Sequence, residues 1–155
     1  MKDFKIELEK AGIEKVQTYI QSGNLVIESN LKEVQLRVIM NEVLTTQFSI
    51  QTNCSFYTAE EIEQIIDENP FKESNPVEGK WMHYALLEDE VKADVSIFEK
   101  YQVNGELIAL KGKCLYMVTP NGVGNSKITL KLIEKQLGTN ATMRNQNTLN
   151  KLLQM

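Results

Sequence analysis

Tyr19-Ile20-Gln21-Ser22-Gly23-Asn24-Leu25-Val26-Ile27-Glu28 is the stretch that decides the fold. Leu25 and Ile27 alternate with Asn24, Val26 and Glu28, as the two faces of a half-buried strand do. An extended run over 15–21 precedes them, and the Ser-Gly-Asn turn reverses the chain, so the pattern predicts a β-hairpin. In such a turn Gly23 supplies a positive φ, while Ser22 and Asn24 bond neighbouring backbone. The same hydroxyl, amide and turn N–H groups could also hold a polar or anionic ligand. Ser22, Gly23 and Asn24 are therefore the first candidate binding residues.

Before the hairpin, Phe4, Leu8 and Ala11 share one face of a helix over 3–11 that Gly12 stops. After it, Asn30 is placed to cap a helix whose Leu31, Val34, Val38 and Leu44 fall at helical spacing. Asn53–Tyr57 reads as a short strand. Thr58 and Glu61 have the spacing of a capping box, opening a helix with Ile62, Ile65 and Ile66 on its inner face, ended by Asn69-Pro70. Residues 71–80 hold a proline, a glycine and mostly polar groups, the composition of a linker. Beyond it the order begins again: strand 81–87, helix 90–101, strands 105–111 and 113–119 turning at Gly112, and helix 126–137. A short extended piece at 141–144 and a final helix, 146–154, follow.

These elements predict an α+β protein of two ferredoxin-like (split βαβ) halves, the first missing its leading strand. The expected divisions are 1–70 for the truncated first half, 71–80 for the linker, and 81–155 for the second half with its C-terminal helix. Composition agrees with a globular chain: 42% of the 155 residues are apolar and 25% charged. No run reaches the roughly 20 apolar residues that cross a bilayer, and the charged N-terminus lacks a signal-peptide centre. Cys54 and Cys114 stand alone in strand-like runs, without the spacing of a disulfide framework or zinc site. A cytoplasmic location is expected, with buried free thiols and neither metal nor cofactor.

The net charge of −4 hides an asymmetry. Residues 1–90 carry 17 acids and 8 bases, whereas residues 91–155 carry 4 acids and 9 bases. Either two halves of opposite sign attract each other, or the basic C-terminal half holds an anion.

Val16-Gln17-Thr18-Tyr19-Ile20-Gln21-Ser22-Gly23-Asn24, with the Leu-Val-Ile-Glu run after it, resembles the signature of the domain-of-unknown-function 1697 family of bacterial proteins. Asn69-Pro70-Phe71 is similar to that family's Asn-Pro-Phe, and Gly124-Asn125-Ser126-Lys127 to its Ser-Lys helix start. Ala141-Thr142-Met143-Arg144-Asn145-Gln146-Asn147-Thr148 resembles its Thr-Thr-Arg-Asn-Trp-Asn-Thr segment, with Gln146 in the place of tryptophan. Family members open with a strand and an Arg-Gly-Ile-Asn-Val-Gly-Gly loop, so the resemblance implies that a chain beginning Met1-Lys2-Asp3-Phe4 lacks both. It also implies two related α+β halves and no assigned activity.

Two further segments could carry chemistry. Thr119–Lys127 is a glycine-bearing loop between a strand and a helix, the outline of an anion site, although it lacks Walker spacing. Ser126 and Lys127 are its candidates, and Asn125 or Ser126 as a simple helix cap is the structural alternative. Arg144 offers a planar fork suited to carboxylate or phosphate, flanked by the neutral amides of Asn145 and Asn147. Capping of the last helix by Asn145 or Asn147 is the alternative there. His83 has no triad or metal partners in its pattern. No catalytic constellation can be named, which leans against an enzyme and leaves that question open. The expected function is binding of a small polar or anionic ligand through the C-terminal half. The alternatives are a nucleic-acid-binding module using the basic half, and an assembly protein that forms a homodimer through an open sheet position.

Overall fold

The computed structural model describes residues 1–20, 23–72 and 78–155. The chain is α+β, with two antiparallel sheets, and divides into two compact units.

The first unit comprises Met1–Phe56 together with Gln154–Met155. Helix α1 (Lys2–Lys10) leads into a two-stranded sheet of β1 (Gln17–Tyr19) and β2 (Asn24–Val26), and helix α2 (Glu33–Phe48) follows. Tyr19 pairs with Asn24, so the predicted hairpin forms, with shorter strands than the sequence suggests. Its core gathers Leu8, Ile13, Val16, Met40 and Val43, with the Phe4 and Phe48 rings edge-on at 5.8 Å.

Helix α2 differs from expectation at its start and in its inner face. Lys32, not Asn30, holds the N-cap position, and Gln35 Oε1 accepts from the Lys32 N–H. Met40, Val43 and Leu44 turn inward. Val34 and Val38 remain 73% and 60% exposed, and Leu31 is exposed with them. Asn53–Tyr57 forms no strand, because the described backbone there has no partner chain to pair with.

The second unit runs from Tyr57 to Leu153. It holds α3 (Ala59–Asp67), β3 (Met82–Leu87), β4 (Leu107–Lys111), β5 (Cys114–Val118), α4 (Leu130–Leu137), β6 (Ala141–Asn145) and α5 (Gln146–Leu153). The strands form one antiparallel sheet in the order β4-β5-β3-β6. Every residue of β3 and β5 is buried, because both faces of the sheet are covered. On one face Ala85, Leu87, Leu115 and Met117 meet Phe98, Ile128 and Ile133. On the other, Tyr84, Leu86, Tyr116 and Val118 meet Leu149 and the isoleucines of α3. The capping box of α3 is formed as its spacing predicts: Glu61 N donates to Thr58 Oγ1, and Thr58 N to the Glu61 carboxylate.

Residues 57–70 thus lie with the second unit, and the division falls between Phe56 and Tyr57, ahead of the linker-like segment at 71–80. Residues 73–77 of that segment lie outside the described residues. The helix expected over 90–101 is a 3-10 turn at Val95–Tyr101, its start fixed by Asp94 accepting from Ser96 N. Helix α4 begins at Leu130 rather than 126, because Thr129 provides the cap, accepting from Leu132 N.

The division also relocates the charge asymmetry. The first unit carries seven acids and six bases through Phe56, and is nearly neutral. Residues 57–90 carry ten acids and two bases, and residues 91–153 four acids and nine bases. The sign change therefore falls inside the second unit, where Lys111 reaches Glu68 at 3.4 Å from the β4–β5 turn.

Candidate functional site

The sequence-derived candidates fall into three groups. At the hairpin, Gly23 has a φ of +77° and meets no obstruction that a Cβ would feel. Asn24 is buried, and its amide turns back on its own hairpin to the Tyr19 carbonyl at 3.4 Å. Gly23 lies in the turn and Asn24 opens β2; Ser22 lies outside the described residues. Ile20, just before the turn, is held at a φ of +49° although its side chain is β-branched, a conformation that only glycine and, to a lesser extent, asparagine visit without strain.

The second group, in the loop after β5, is occupied from within. Ser126 Oγ donates to Glu106 Oε1 at 2.8 Å and accepts from Ile128 N. The Glu106 side chain is buried, and its other oxygen accepts from Asn104 N at 2.8 Å. Burial pushes this carboxyl up, but the Asn104 N–H and Ser126 hydroxyl outweigh it, and it lies below its ordinary value. A buried carboxylate bonded to Ser126 repels an anion at that place. Neither Asn125 nor Ser126 caps the start of α4, where Thr129 stands instead. Lys127 is exposed, ahead of α4, and Lys131 and Lys135 are likewise exposed on that helix.

The third group does converge. Arg144 on β6 stands opposite Tyr84 on β3, on the same face of the sheet. The Arg144 guanidinium donates to Thr142 Oγ1 at 2.8 Å and to the Met143 carbonyl at 2.7 Å. It is half-buried, which holds its pKa below the usual arginine range. The Tyr84 hydroxyl accepts from Asn69 Nδ2 at 3.0 Å and donates to the Gln146 carbonyl oxygen. Burial raises this phenol to about 12, so it stays protonated. Asn69 Oδ1 accepts from Phe71 N at 2.9 Å, which makes the Asn-Pro-Phe turn part of the same network. Asn145 caps α5, its Oδ1 accepting from Thr148 N at 2.9 Å. Asn147 is exposed and lies hard against Gly79, where a methyl group would collide with its carboxamide.

Tyr84 and Asn69 are the hub that pattern reading overlooks. Tyr84 looks like one more apolar strand residue, and Asn69 like a helix stop. Only the Asn-Pro-Phe motif pointed toward the second. His83 occupies the opposite face, buried, with Nδ1 at 3.3 Å from both Thr119 Oγ1 and the Trp81 carbonyl. Burial lowers its pKa. Among the described residues no three His, Cys, Asp or Glu side chains gather as a metal site would require, and no helix is long and apolar enough to cross a membrane. Among the described residues the Arg144 guanidinium is held by the Thr142 hydroxyl and the Met143 carbonyl.

No curated protein matches the chain. Among solved structures, a conserved bacterial protein from Streptococcus pneumoniae shares the fold, with a TM-score of 0.72 and 22% identity over 100% of this chain and 87% of that one. The family model for proteins of unknown function DUF1697 matches residues 1–116, and the chain belongs to that family.

Proposed function

We propose that the protein is a cytoplasmic, non-catalytic binding protein that takes a small anionic ligand beside Arg144. The observation that carries this reading is the meeting of residues distant in sequence at the Tyr84 hydroxyl. Asn69 and Gln146 bond to it, and Arg144 lies opposite on the neighbouring strand. A planar guanidinium fork suits carboxylate or phosphate. Ser126 is not part of this proposal, since its hydroxyl serves its own loop. The strand order β4-β5-β3-β6, all antiparallel, is the order a split βαβ half would have, and supports the ferredoxin-like reading of the second unit.

Thermal-shift measurement with phosphate, dicarboxylates and nucleotides tests the ligand reading. At least one class raises the melting temperature of the native chain, Arg144→Ala abolishes the rise, and Arg144→Lys retains only part of it. A rise that survives Arg144→Ala refutes the site.

A specific observation favours one second reading, self-association through the first unit. Its sheet has only two strands among the described residues, and Val34 and Val38 of α2 are exposed together with Leu31 just ahead of it. Open strand edges and an apolar stripe suit a second copy of the chain. Sedimentation then shows a concentration-dependent dimer that Val38→Glu dissociates, and a monomer at high concentration sinks this reading. A nucleic-acid role across the sheet has less support, because Tyr84 and Tyr116 have no exposed surface on which a base could stack.

A further inference from the structure

The chain contains two Asn-Gly pairs, Asn104-Gly105 and Asn121-Gly122, and the fold brings both into one closed ring. Asn104 Nδ2 donates to the Asn125 carbonyl at 2.7 Å. Asn125 Nδ2 donates to the Asn121 carbonyl at 2.7 Å, and Asn121 Nδ2 returns to the Asn104 carbonyl at 2.9 Å. Three side-chain amides thereby tie the turn before β4 to the loop after β5. The backbone N–H of Asn104 also holds the buried Glu106 carboxylate.

We propose that Asn104 is a site of spontaneous deamidation and that this modification opens the ring. The Gly105 backbone nitrogen gives its proton to hydroxide and attacks Asn104 Cγ. A new C–N bond forms, the Cγ–Nδ2 bond breaks, and ammonia leaves with a proton from water. Water then opens the five-membered imide at either carbonyl, giving aspartate or isoaspartate. Glycine is the residue that permits this attack most readily, since no Cβ obstructs the approach.

The two pairs differ in the state of the attacking nitrogen. Gly122 N donates to the Thr119 carbonyl at 3.0 Å, and Gly122 is pressed against the Trp81 ring, 3.3 Å from where a Cβ would stand. Gly105 is exposed, and among the described residues its N–H has no acceptor. Side-chain exposure alone would rank the pairs the other way, because Asn121 is exposed and Asn104 half-buried. The backbone hydrogen bond decides, because the nitrogen must be released before it can attack. Releasing it retards reaction at Asn121 by roughly three- to tenfold relative to Asn104.

The product at position 104 is a carboxylate in place of an amide. It has no N–H to give the Asn125 carbonyl, and it stands next to the N–H that Glu106 requires. In the isoaspartate form the backbone gains a methylene, which displaces that N–H. The loop after β5 then loses its tie to the turn before β4.

Peptide mapping by mass spectrometry on the native full-length chain, aged in mildly alkaline buffer, tests the proposal. A sample held in denaturant supplies the intrinsic rates. Mass gain at Asn104 at least about threefold faster than at Asn121 is expected in the native sample, together with faster amide exchange at Val123–Ser126 in the aged protein. Equal or faster reaction at Asn121 overturns the assignment. So does protection of both sites in the native chain while both react in denaturant. Reaction at Asn104 that leaves exchange at Val123–Ser126 unchanged overturns the opening of the ring.

Discussion

Removing the Tyr84 hydroxyl with Tyr84→Phe keeps the ring, its edge-on contact with Tyr116 at 5.5 Å and its complete burial. What is lost is one acceptor for Asn69 and one donor for Gln146. Both partners are half-buried, so water can reach them in part, and the cost is about 1–1.5 kcal/mol. For a unit of about 100 residues each kcal/mol lowers the melting temperature by roughly 4–8 °C. Asn69→Ala removes the same bond and also the acceptor of the Phe71 N–H, costing about 2 kcal/mol. The shared bond is counted in both single variants but lost only once in the double. The double variant is therefore less destabilised than the sum by about 0.5–1.5 kcal/mol. Urea unfolding followed by tyrosine circular dichroism measures all four proteins. Additivity within about 0.3 kcal/mol refutes the placement of Asn69 against Tyr84.

Ile20→Asn relieves a β-branched residue held at positive φ and removes an exposed apolar side chain, raising stability by about 1 kcal/mol in urea unfolding; a loss of stability contradicts the hairpin geometry. Gly79→Ala drives a methyl into the Asn147 carboxamide and destabilises by about 1–3 kcal/mol, and Asn147→Gly in the same chain restores most of it. Burial disfavours the charged form of His83 and puts its folded pKa below the ordinary 6.5. It therefore does not affect the pH dependence of stability well above that value. It lowers stability as pH falls through 6.5, and the loss levels off once pH passes below the folded pKa. His83→Gln flattens that segment of the stability-versus-pH curve, and an unchanged slope refutes the burial.

Local signals that depend on few neighbours are legible in this sequence. The Thr58–Glu61 capping box, the Gly112 turn and the Ser-Gly-Asn hairpin each need only adjacent residues, and each is formed where described. Choices among equivalent partners are not legible. Helix α2 carries two apolar stripes at helical spacing, one through Val34 and Val38 and one through Met40, Val43 and Leu44. Spacing cannot say which of them turns inward. Thr129 caps as well as Asn125 or Ser126, so only the path of the loop selects the start of α4. The polar, proline-bearing run at 71–80 marks a break in composition. The division lies earlier, because Ile62, Ile65 and Ile66 find their packing on a sheet whose strands are still to come. The Arg144 segment could be singled out by residue type, but its place opposite Tyr84 is a matter of register between strands far apart.

That register also governs how the chain emerges during translation. Leu87 closes against Ala141, and His83 against Asn145, so the strand that seals β3 is synthesised more than fifty residues after it. Until then β3 presents a bare hydrogen-bonding edge between two apolar faces, the form most prone to recruit a neighbouring nascent chain. A ribosome that stalls before Asn145 releases a product in which β3, buried along its whole length in the finished fold, is unsealed. The five residues of β6 thus decide whether synthesis ends in a folded protein or an aggregate.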